Sequence, residues 1–168
     1  YSITNRKMDA LPKQFRVPAL YGDFWFNSET IPTGALRGYP ILIEFWDYTN
    51  QASLNSLLYI QEWHRRYNEL GLVTIGVHTP EFPFARDPMN VREAIEKLGI
   101  RYPVVMDNEY IIWGAFRNQS WPSKYLVDKD GFIRYIHSGD GSYQNFEHCI
   151  QSLIAEAGYH DIFPIVMD

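Results

Sequence analysis

The most regular hydrophobic pattern is an apolar run at residues 40–46, followed by an amphipathic segment at 53–70. A short and almost wholly apolar run is typical of a central strand that is covered on both faces. In the following segment, Leu54 and Leu57 recur at helical spacing among polar residues, and Gly71 ends the pattern. We therefore predict a buried strand that leads directly into an amphipathic helix.

Further segments alternate between strand and helix patterns along the rest of the chain. Residues 128–131, Asp-Lys-Asp-Gly, join two β-rich runs and are a strong hairpin turn signal. Alternating βα units followed by a hairpin predict an α/β fold with a central mixed β-sheet and helices on both faces. The predicted strands are 72–77, 102–106, 124–127 and 132–137, and the predicted helices are 90–98, 109–117 and 143–157.

The N-terminal region is patterned less regularly. Residues 1–18 lack sustained periodicity, so they are expected to form either a loose arm or an early packing segment. A short strand is predicted within 20–27 and one helical turn within 28–39. The predicted organisation is an N-terminal extension that packs on the domain (1–37), the α/β domain itself (38–158) and a C-terminal tail (159–168).

Composition and charge narrow the class of protein. With 168 residues, 46% of them hydrophobic, the chain is long enough for one compact domain with a real core. Its formal net charge of -5 argues against a nucleic-acid partner that is held through phosphate contacts. No apolar stretch reaches the roughly twenty residues that a membrane-spanning helix needs, so no membrane span is expected in this chain.

The chain contains one cysteine, Cys149. Because one thiol cannot form an internal disulfide or supply two cysteine ligands to zinc, neither feature is expected. Cys149 follows Phe146 and precedes Leu153 at helical apolar spacing. We therefore predict that it is a small buried hydrophobic residue rather than a reactive thiol.

Several separate motifs, in the right order, resemble those of thioredoxin-fold proteins. The run at 43–49, Ile-Glu-Phe-Trp-Asp-Tyr-Thr, is similar to the segment that leads into their active site. More narrowly, it resembles the TlpA/ResA group and the DipZ-type thiol-disulfide oxidoreductase domains, where Cys-x-x-Cys then opens a helix. The resemblance continues at residues 75–82, 102–104, 121–128 and 139–143. It implies a thioredoxin-like fold over most of the chain.

The resemblance also implies where the site residues lie. Residues 50–53 are Asn-Gln-Ala-Ser, so that Asn50 takes the place of the attacking cysteine and Ser53 that of the resolving one. Glu44 takes the place of the family's buried acid. Pro122 takes the place of the cis-proline whose loop faces the two cysteines.

The missing sulfur changes the expected chemistry, because neither an amide nor a hydroxyl can replace a thiolate in disulfide exchange. The Thr-x-x-Cys of peroxiredoxins is absent too, since Thr49 is followed by Ala52 at the cysteine position. Asn50 and Ser53 both accept hydrogen bonds readily, so we predict that they cap the helix instead of catalysing a reaction.

Glu44 stands among apolar neighbours, and its side chain is expected to be buried. Two interpretations stay open: a proton-handling group, or a carboxyl satisfied by a lysine or a water. In both cases we predict that desolvation raises its pKa.

The aromatic residues Trp46, Tyr48 and Trp121 flank the site, and with Pro122 they are predicted to form a surface that binds ligand. Trp113 and Phe116, three apart on a predicted helix, are expected to show ordinary packing in the core and at its rim. His78 and Glu81 follow the second predicted strand of the domain, but two ligands are too few for a metal site, and neither metal nor cofactor is expected.

The predicted function is a non-redox module, either structural or binding a protein or an extended peptide. The alternative is an oxidoreductase, thiol-disulfide or peroxide-related, that acts through a cofactor or a partner's cysteines. A third interpretation is that the sequence, which starts at Tyr1, belongs to a longer protein in which this domain positions its neighbours. The resemblance favours an extracytoplasmic location, with the cytoplasm left open, and the oligomeric state is undetermined.

Overall fold

A seven-stranded mixed β-sheet lies at the centre of the computed structural model, which describes residues 11–158. Its strands are β1 (Phe15–Arg16), β2 (Trp25–Phe26), β3 (Ile41–Trp46), β4 (Val73–His78), β5 (Val104–Met106), β6 (Ser123–Val127) and β7 (Phe132–Ser138). The α-helices of these residues are α1 (Gln51–Tyr67), α2 (Pro88–Leu98), α3 (Ile111–Ala115) and α4 (Tyr143–Glu156). Short 3-10 helices lie at Thr33–Leu36, Asn68–Leu70 and Pro83–Arg86. Residues 1–10 of the predicted extension and the predicted tail, 159–168, lie outside the described residues.

The strand order β1-β7-β6-β3-β4-β5-β2 confirms the predicted mixed α/β fold. The pairs β3–β4 and β4–β5 are parallel, whereas β3–β6, β6–β7, β1–β7 and β2–β5 are antiparallel. Strand β3 is buried along its whole length, as the apolar run predicts. Its residue Ile43 lies between Ile75 of β4 and Tyr125 of β6.

Residues from the predicted N-terminal extension complete the sheet at both of its edges. Phe15 and Arg16 pair with β7, and Trp25 and Phe26 pair with β5. Between these two strands, Leu20 is buried in the hydrophobic core. In the described part of the first 18 residues, Val17 is buried, whereas Phe15 and Arg16 are exposed. Strand β2 lies within the segment 20–27 where a strand was predicted, and the two-residue strand β1 is too short to leave a periodic signal in the sequence.

Helices cover both faces of the sheet and enclose two hydrophobic cores. One core contains Leu42 of β3, residues of α1 and α2, and Phe146 and Cys149 of α4. The other contains Phe45 of β3 and Ile112 of α3. The prediction that Cys149 is buried is confirmed. None of the helices within residues 11–158 is long and apolar enough to cross a bilayer.

Three buried polar residues mark one end of the sheet, which we call the carboxyl pole. Asp47, Thr79 and Asp107 directly follow the parallel strands β3, β4 and β5. The Thr79 hydroxyl donates to Asp107 Oδ2 at 2.8 Å, and the Thr79 N–H donates to the Trp46 carbonyl at 3.2 Å. In open α/β sheets, ligands gather at the carboxyl ends of the strands. The carboxyl pole is therefore where a functional site is expected.

Candidate functional site

The opening turn of α1 carries the two residues that stand where the resemblance places the cysteines. Asn50 has extended backbone dihedral angles and is the N-cap of α1, since its Oδ1 accepts the N–H of Ser53 at 2.8 Å. This confirms the predicted capping role of Asn50. Ser53 lies inside the first turn, is fully buried, and accepts the N–H of Asp47 at 3.3 Å. The predicted capping role of Ser53 is wrong, because its hydroxyl faces the preceding loop rather than the N–H groups of the first turn.

Asp47, which was not predicted as a site residue, organises this turn. Its Oδ1 accepts the N–H and the hydroxyl of Thr49, each at 2.8 Å. Its Oδ2 accepts the N–H of Glu81 at 2.7 Å. The carboxylate thus fixes the β3–α1 turn to the loop after β4. An aspartate directly between a buried strand and a helix was the sequence signal for this role.

The Pro122 loop lies beside this turn at the carboxyl pole. The peptide bond between Trp121 and Pro122 is cis. The antiparallel pairing of Phe45 with Ser123 places Pro122 next to the end of β3. The Trp121 indole N–H donates to the Thr79 carbonyl at 2.8 Å. The structure therefore brings the opening of α1 and the Pro122 loop to the same end of the sheet.

The aromatic residues predicted to form a ligand surface divide into two groups. Tyr48 and Trp121 are partly exposed, but Trp46 is 0% exposed and packs in the core between the sheet and α1. Including Trp46 in the surface was wrong, because β3 extends to that residue and turns its side chain inward. Pro122 is also buried. The exposed aromatic surface consequently rests on Tyr48 and Trp121.

Trp113 and Phe116, the aromatic residues that were predicted to pack in the core or at its rim, differ in their exposure. Phe116 is buried, as predicted. Trp113 is partly exposed, and its ring centroid lies 4.3 Å from that of Trp121. Trp113 therefore extends the exposed aromatic surface around the Pro122 loop.

Beneath the opening turn of α1 lies a buried pair of ionisable residues, Glu44 and Lys124, which face each other across β3 and β6. Glu44 Oε2 accepts the hydroxyl of Ser56 at 2.7 Å. Among the described residues, Glu44 Oε1 and Lys124 Nζ have no hydrogen-bond partner. Lys124 Nζ lies 5.0 Å from the centroid of the Tyr143 ring.

Burial dominates the protonation of this pair. Desolvation raises the pKa of Glu44 from 4.5 to about 7, although the charge of Lys124 and the hydrogen bond from Ser56 lower it. The predicted rise is confirmed. Burial also lowers the pKa of Lys124, against the attraction of Glu44. The pair therefore includes a carboxyl group, that of Glu44, which can exchange a proton near neutral pH. This carboxyl group contacts Ser56, which lies one helical turn beyond Ser53 on α1.

His78 and Glu81 do not form a joint site. His78 is buried, and its Nε2 accepts the N–H of Tyr48 at 3.3 Å. Burial lowers the pKa of His78 to about 4, although the nearby carboxylate of Asp47 raises it, so the ring is neutral at neutral pH. Glu81 is exposed. Within residues 11–158, no three side chains of His, Cys, Asp or Glu cluster as metal ligands.

Cys149, the single cysteine of the chain, lies in the middle of α4, away from the opening turn of α1 in the sequence. Burial raises the pKa of its thiol to about 12. Since the thiolate is the reactive form of cysteine, this side chain is chemically inert near neutral pH.

Comparison with known proteins identifies the family. Residues 12–136 match the model of the AhpC/TSA family. The chain belongs to that family. The proteins that this chain is similar to include thiol-disulfide oxidoreductases named YkuV and ResA. The resemblance to TlpA/ResA/DipZ-type domains is thereby confirmed.

Individual relatives of this AhpC/TSA domain agree with that assignment. The chain is 38% identical over 136 residues to protein DipZ of Mycobacterium tuberculosis, a match covering 79% of this chain and 20% of DipZ. It is 26% identical over 141 residues to the thiol-disulfide oxidoreductase YkuV of Bacillus subtilis, covering 83% and 95%. A crystal structure of a thioredoxin-like superfamily protein matches with a TM-score of 0.79 at 26% identity, covering 84% and 97%. The thioredoxin-like fold is confirmed, and the chain spans about a fifth of the length of DipZ.

The carboxyl pole of this AhpC/TSA domain brings together the opening turn of α1, Glu44 and the Pro122 loop. Asn50 and Ser53 lie at the N-terminus of α1, where the helix dipole would favour an anion. Glu44 lies beneath the turn and the Pro122 loop beside it. The residues at this turn, Asn-Gln-Ala-Ser at 50–53, include no cysteine.

Proposed function

We propose that this domain binds an extended segment of a protein partner at the carboxyl pole and performs no dithiol exchange of its own. The observation that carries the proposal is the state of the α1 opening turn. The side chain of Asn50 accepts the N–H of Ser53 within that turn, and the hydroxyl of Ser53 accepts the N–H of Asp47 in the preceding loop. They act as structural groups, and Cys149 is buried in another part of the fold.

The exposed surface supports binding rather than catalysis. Tyr48 and Trp121 present partly exposed rings on either side of the opening turn and the Pro122 loop. Aromatic side chains of this kind provide a large contact area at low entropic cost, and an extended backbone supplies hydrogen bonds. Because the chain spans about a fifth of DipZ, such a partner segment could belong to another part of the same protein.

An insulin-reduction assay with dithiothreitol tests the absence of exchange chemistry. We expect the parent chain and Cys149→Ser to give the same rate as the uncatalysed reaction. The double variant Asn50→Cys with Ser53→Cys should gain activity, because the helix N-terminus and Glu44 then act on a thiol. Turnover by the parent that persists in Cys149→Ser would contradict the proposal.

A second candidate function is an oxidoreductase that works on the cysteines of a bound partner. The observation in its favour is Glu44, whose pKa of about 7 suits proton transfer near neutral pH. The test is the oxidation of a dithiol peptide by glutathione disulfide, which yields a peptide disulfide and two glutathione molecules. Acceleration by the parent chain, lost in Glu44→Gln, would favour this candidate. An unchanged rate would leave the binding function as the better one.

A further inference from the structure

An exposed apolar surface adjoins the carboxyl pole on the loop between β4 and α2 and on the first turn of α2. It consists of Phe82, Phe84 and Met89, which are 45%, 56% and 70% exposed, and we call it the aromatic patch. The rings of Phe82 and Phe84 are stacked, with centroids 5.8 Å apart and planes 5° from parallel. Large side chains at such exposure, grouped within eight residues of the chain, are typical of an interaction surface.

The loop holds these side chains in a defined arrangement. The N–H of Ala85, which is itself fully buried, donates to the Phe82 carbonyl at 3.0 Å. The amide of Asn90, in the first turn of α2, donates to the Phe84 carbonyl at 3.0 Å. The patch is thus presented by a loop that is anchored at its centre and at its end.

The aromatic patch is continuous with the proposed binding site. Glu81, directly before Phe82, donates its N–H to the carboxylate of Asp47. Two residues earlier, the carbonyl of Thr79 accepts the indole N–H of Trp121. A segment that contacts Tyr48 and Trp121 would reach Phe82 without leaving the surface.

Negative charge surrounds the aromatic patch. Glu81, Asp87 and Glu93 are exposed acidic residues of this region. Asp87 and Glu93 lie close enough to Tyr48 that their charges, after burial and Asp47, raise the pKa of its hydroxyl. Glu81 directly precedes Phe82, Asp87 lies between Phe84 and Met89, and Glu93 lies one helical turn after Met89, so the region that carries the patch is acidic.

The basic residues of the same region are engaged elsewhere. Arg86 is paired with Glu109 at 2.7 Å. The guanidinium of Arg92 lies over the ring of Phe26, 5.8 Å from its centroid. Each of these two cations therefore has another partner, and the three acidic residues of this region, Glu81, Asp87 and Glu93, outnumber them.

We propose that the aromatic patch binds a basic, extended protein segment in which Lys or Arg flanks an apolar anchor. This inference rests on the proposed function and names the chemistry of the partner. The anchor would cover Phe82 and Phe84, and the cations would lie against Glu81, Asp87 and Glu93. Electrostatic complementarity of this kind gives specificity and faster association. The same carboxylates repel an anionic lipid surface and a second copy of the patch.

A phage-displayed library of random dodecapeptides, panned on the immobilised chain, tests this proposal. We expect peptides recovered on the parent chain to combine Lys or Arg with aliphatic or aromatic residues. Recovery should fall about tenfold or more on the double variant Phe82→Ser with Phe84→Ser, because each ring is an anchor. The double variant Glu81→Gln with Glu93→Gln should lose the preference for basic peptides, and high salt should do the same.

Matched controls separate the patch from general surface effects. Leu58→Ser removes a side chain that is 69% exposed on α1, and Glu69→Gln removes an exposed carboxylate after α1. Both should leave recovery unchanged. Thermal unfolding of each variant shows that the fold is retained. If the patch variant bound the same peptides as the parent, the proposal would be overturned.

Variants in the aromatic surface distinguish this inference from the proposed function. Trp121→Ser, with Tyr48→Ser as a second variant, should also reduce recovery. If these variants lose peptides while the patch and carboxylate variants keep them, the proposed function stands and the basic-partner inference is wrong. No enrichment on the parent chain would overturn both. Dimerisation in light scattering that disappears in the patch variant would assign the patch to a second copy and overturn the inference.

Discussion

The opening turn of α1 and the buried pair beneath it differ in how well the fold satisfies their polar atoms. In the turn, Asn50 Oδ1, Ser53 Oγ and both oxygens of Asp47 accept hydrogen bonds. In the interior, Glu44 keeps one oxygen and Lys124 its amine without a partner among the described residues. The turn is therefore explained by folding stability, whereas the interior pair is not.

This difference indicates that the buried pair, rather than the turn, is the region to test for a chemical role. A buried ion pair gives little net stability and is often replaceable by apolar residues. A carboxyl group with a pKa of about 7 is instead typical of sites that handle protons. The hydrogen bonds of the turn account for its polar side chains, while the interior pair holds ionisable groups that folding stability does not account for. Three substitutions test this contrast, from the largest expected effect to the smallest.

The largest effect is expected for Glu44→Gln, measured as the pH dependence of the free energy of unfolding. Because the pKa of Glu44 is raised from 4.5 to about 7, its contribution is fully present below pH 4.5 and is lost as pH rises through 7. The parent should lose about 3 kcal/mol relative to the variant across this range. Urea unfolding of both proteins at several pH values measures this difference in the free energy of unfolding.

His78 acts in the opposite direction over part of the same range. Its pKa is lowered from 6.5 to about 4, so its contribution is present above pH 6.5 and is lost as pH falls through 4. Since His78 is common to both proteins, the difference between the two curves isolates Glu44. Parallel curves for parent and variant would show that Glu44 does not titrate as described.

A smaller effect is expected for Lys124→Met. At pH 5 the Glu44 carboxyl is protonated in the folded state, and the buried amine of Lys124 has no hydrogen-bond partner among the described residues. Replacing it by an apolar side chain of similar length should stabilise the fold by about 2 kcal/mol. It should also raise the pKa of Glu44 further, since Lys124 lowers it. A destabilised variant at pH 5 would mean that the amine is satisfied.

The smallest effect is expected for Asn50→Ala. Loss of the side-chain acceptor leaves the N–H of Ser53 uncapped and should cost about 1 kcal/mol at every pH between 4 and 8. Asn50→Asp, which keeps the acceptor, is the matched control and should retain the stability of the parent. A pH-dependent loss in Asn50→Ala would link the turn to Glu44 and remove the contrast between the two regions.

The strength of each local signal decides what could be predicted from the sequence. Strand β3 was predictable because every residue in it is buried and nearly all are apolar. The pairing of Glu44 with Lys124 was not, because it depends on the register of two strands that are 80 residues apart in the chain. Trp46 was misplaced because an aromatic residue at a strand end can face either the core or the solvent.

The candidate site follows the same rule. Asn50 could be recognised as a cap from its type and position, since capping is a local interaction. The role of Asp47 depends on the N–H of Glu81, which arrives from a distant loop. In the aromatic patch, Phe84 was missed because it follows no strand or helix period that would show it to be exposed.

Residues 15–26 supply the edge strand on both sides of the sheet. This has a consequence for the handling of the protein. Because these edge strands are very short, they expose few unpaired backbone groups with which a strand of another molecule could pair. Shortening the protein past Phe26 would uncover β7 and β5 together. We expect such a truncated form to precipitate or polymerise at concentrations at which the longer form stays dispersed.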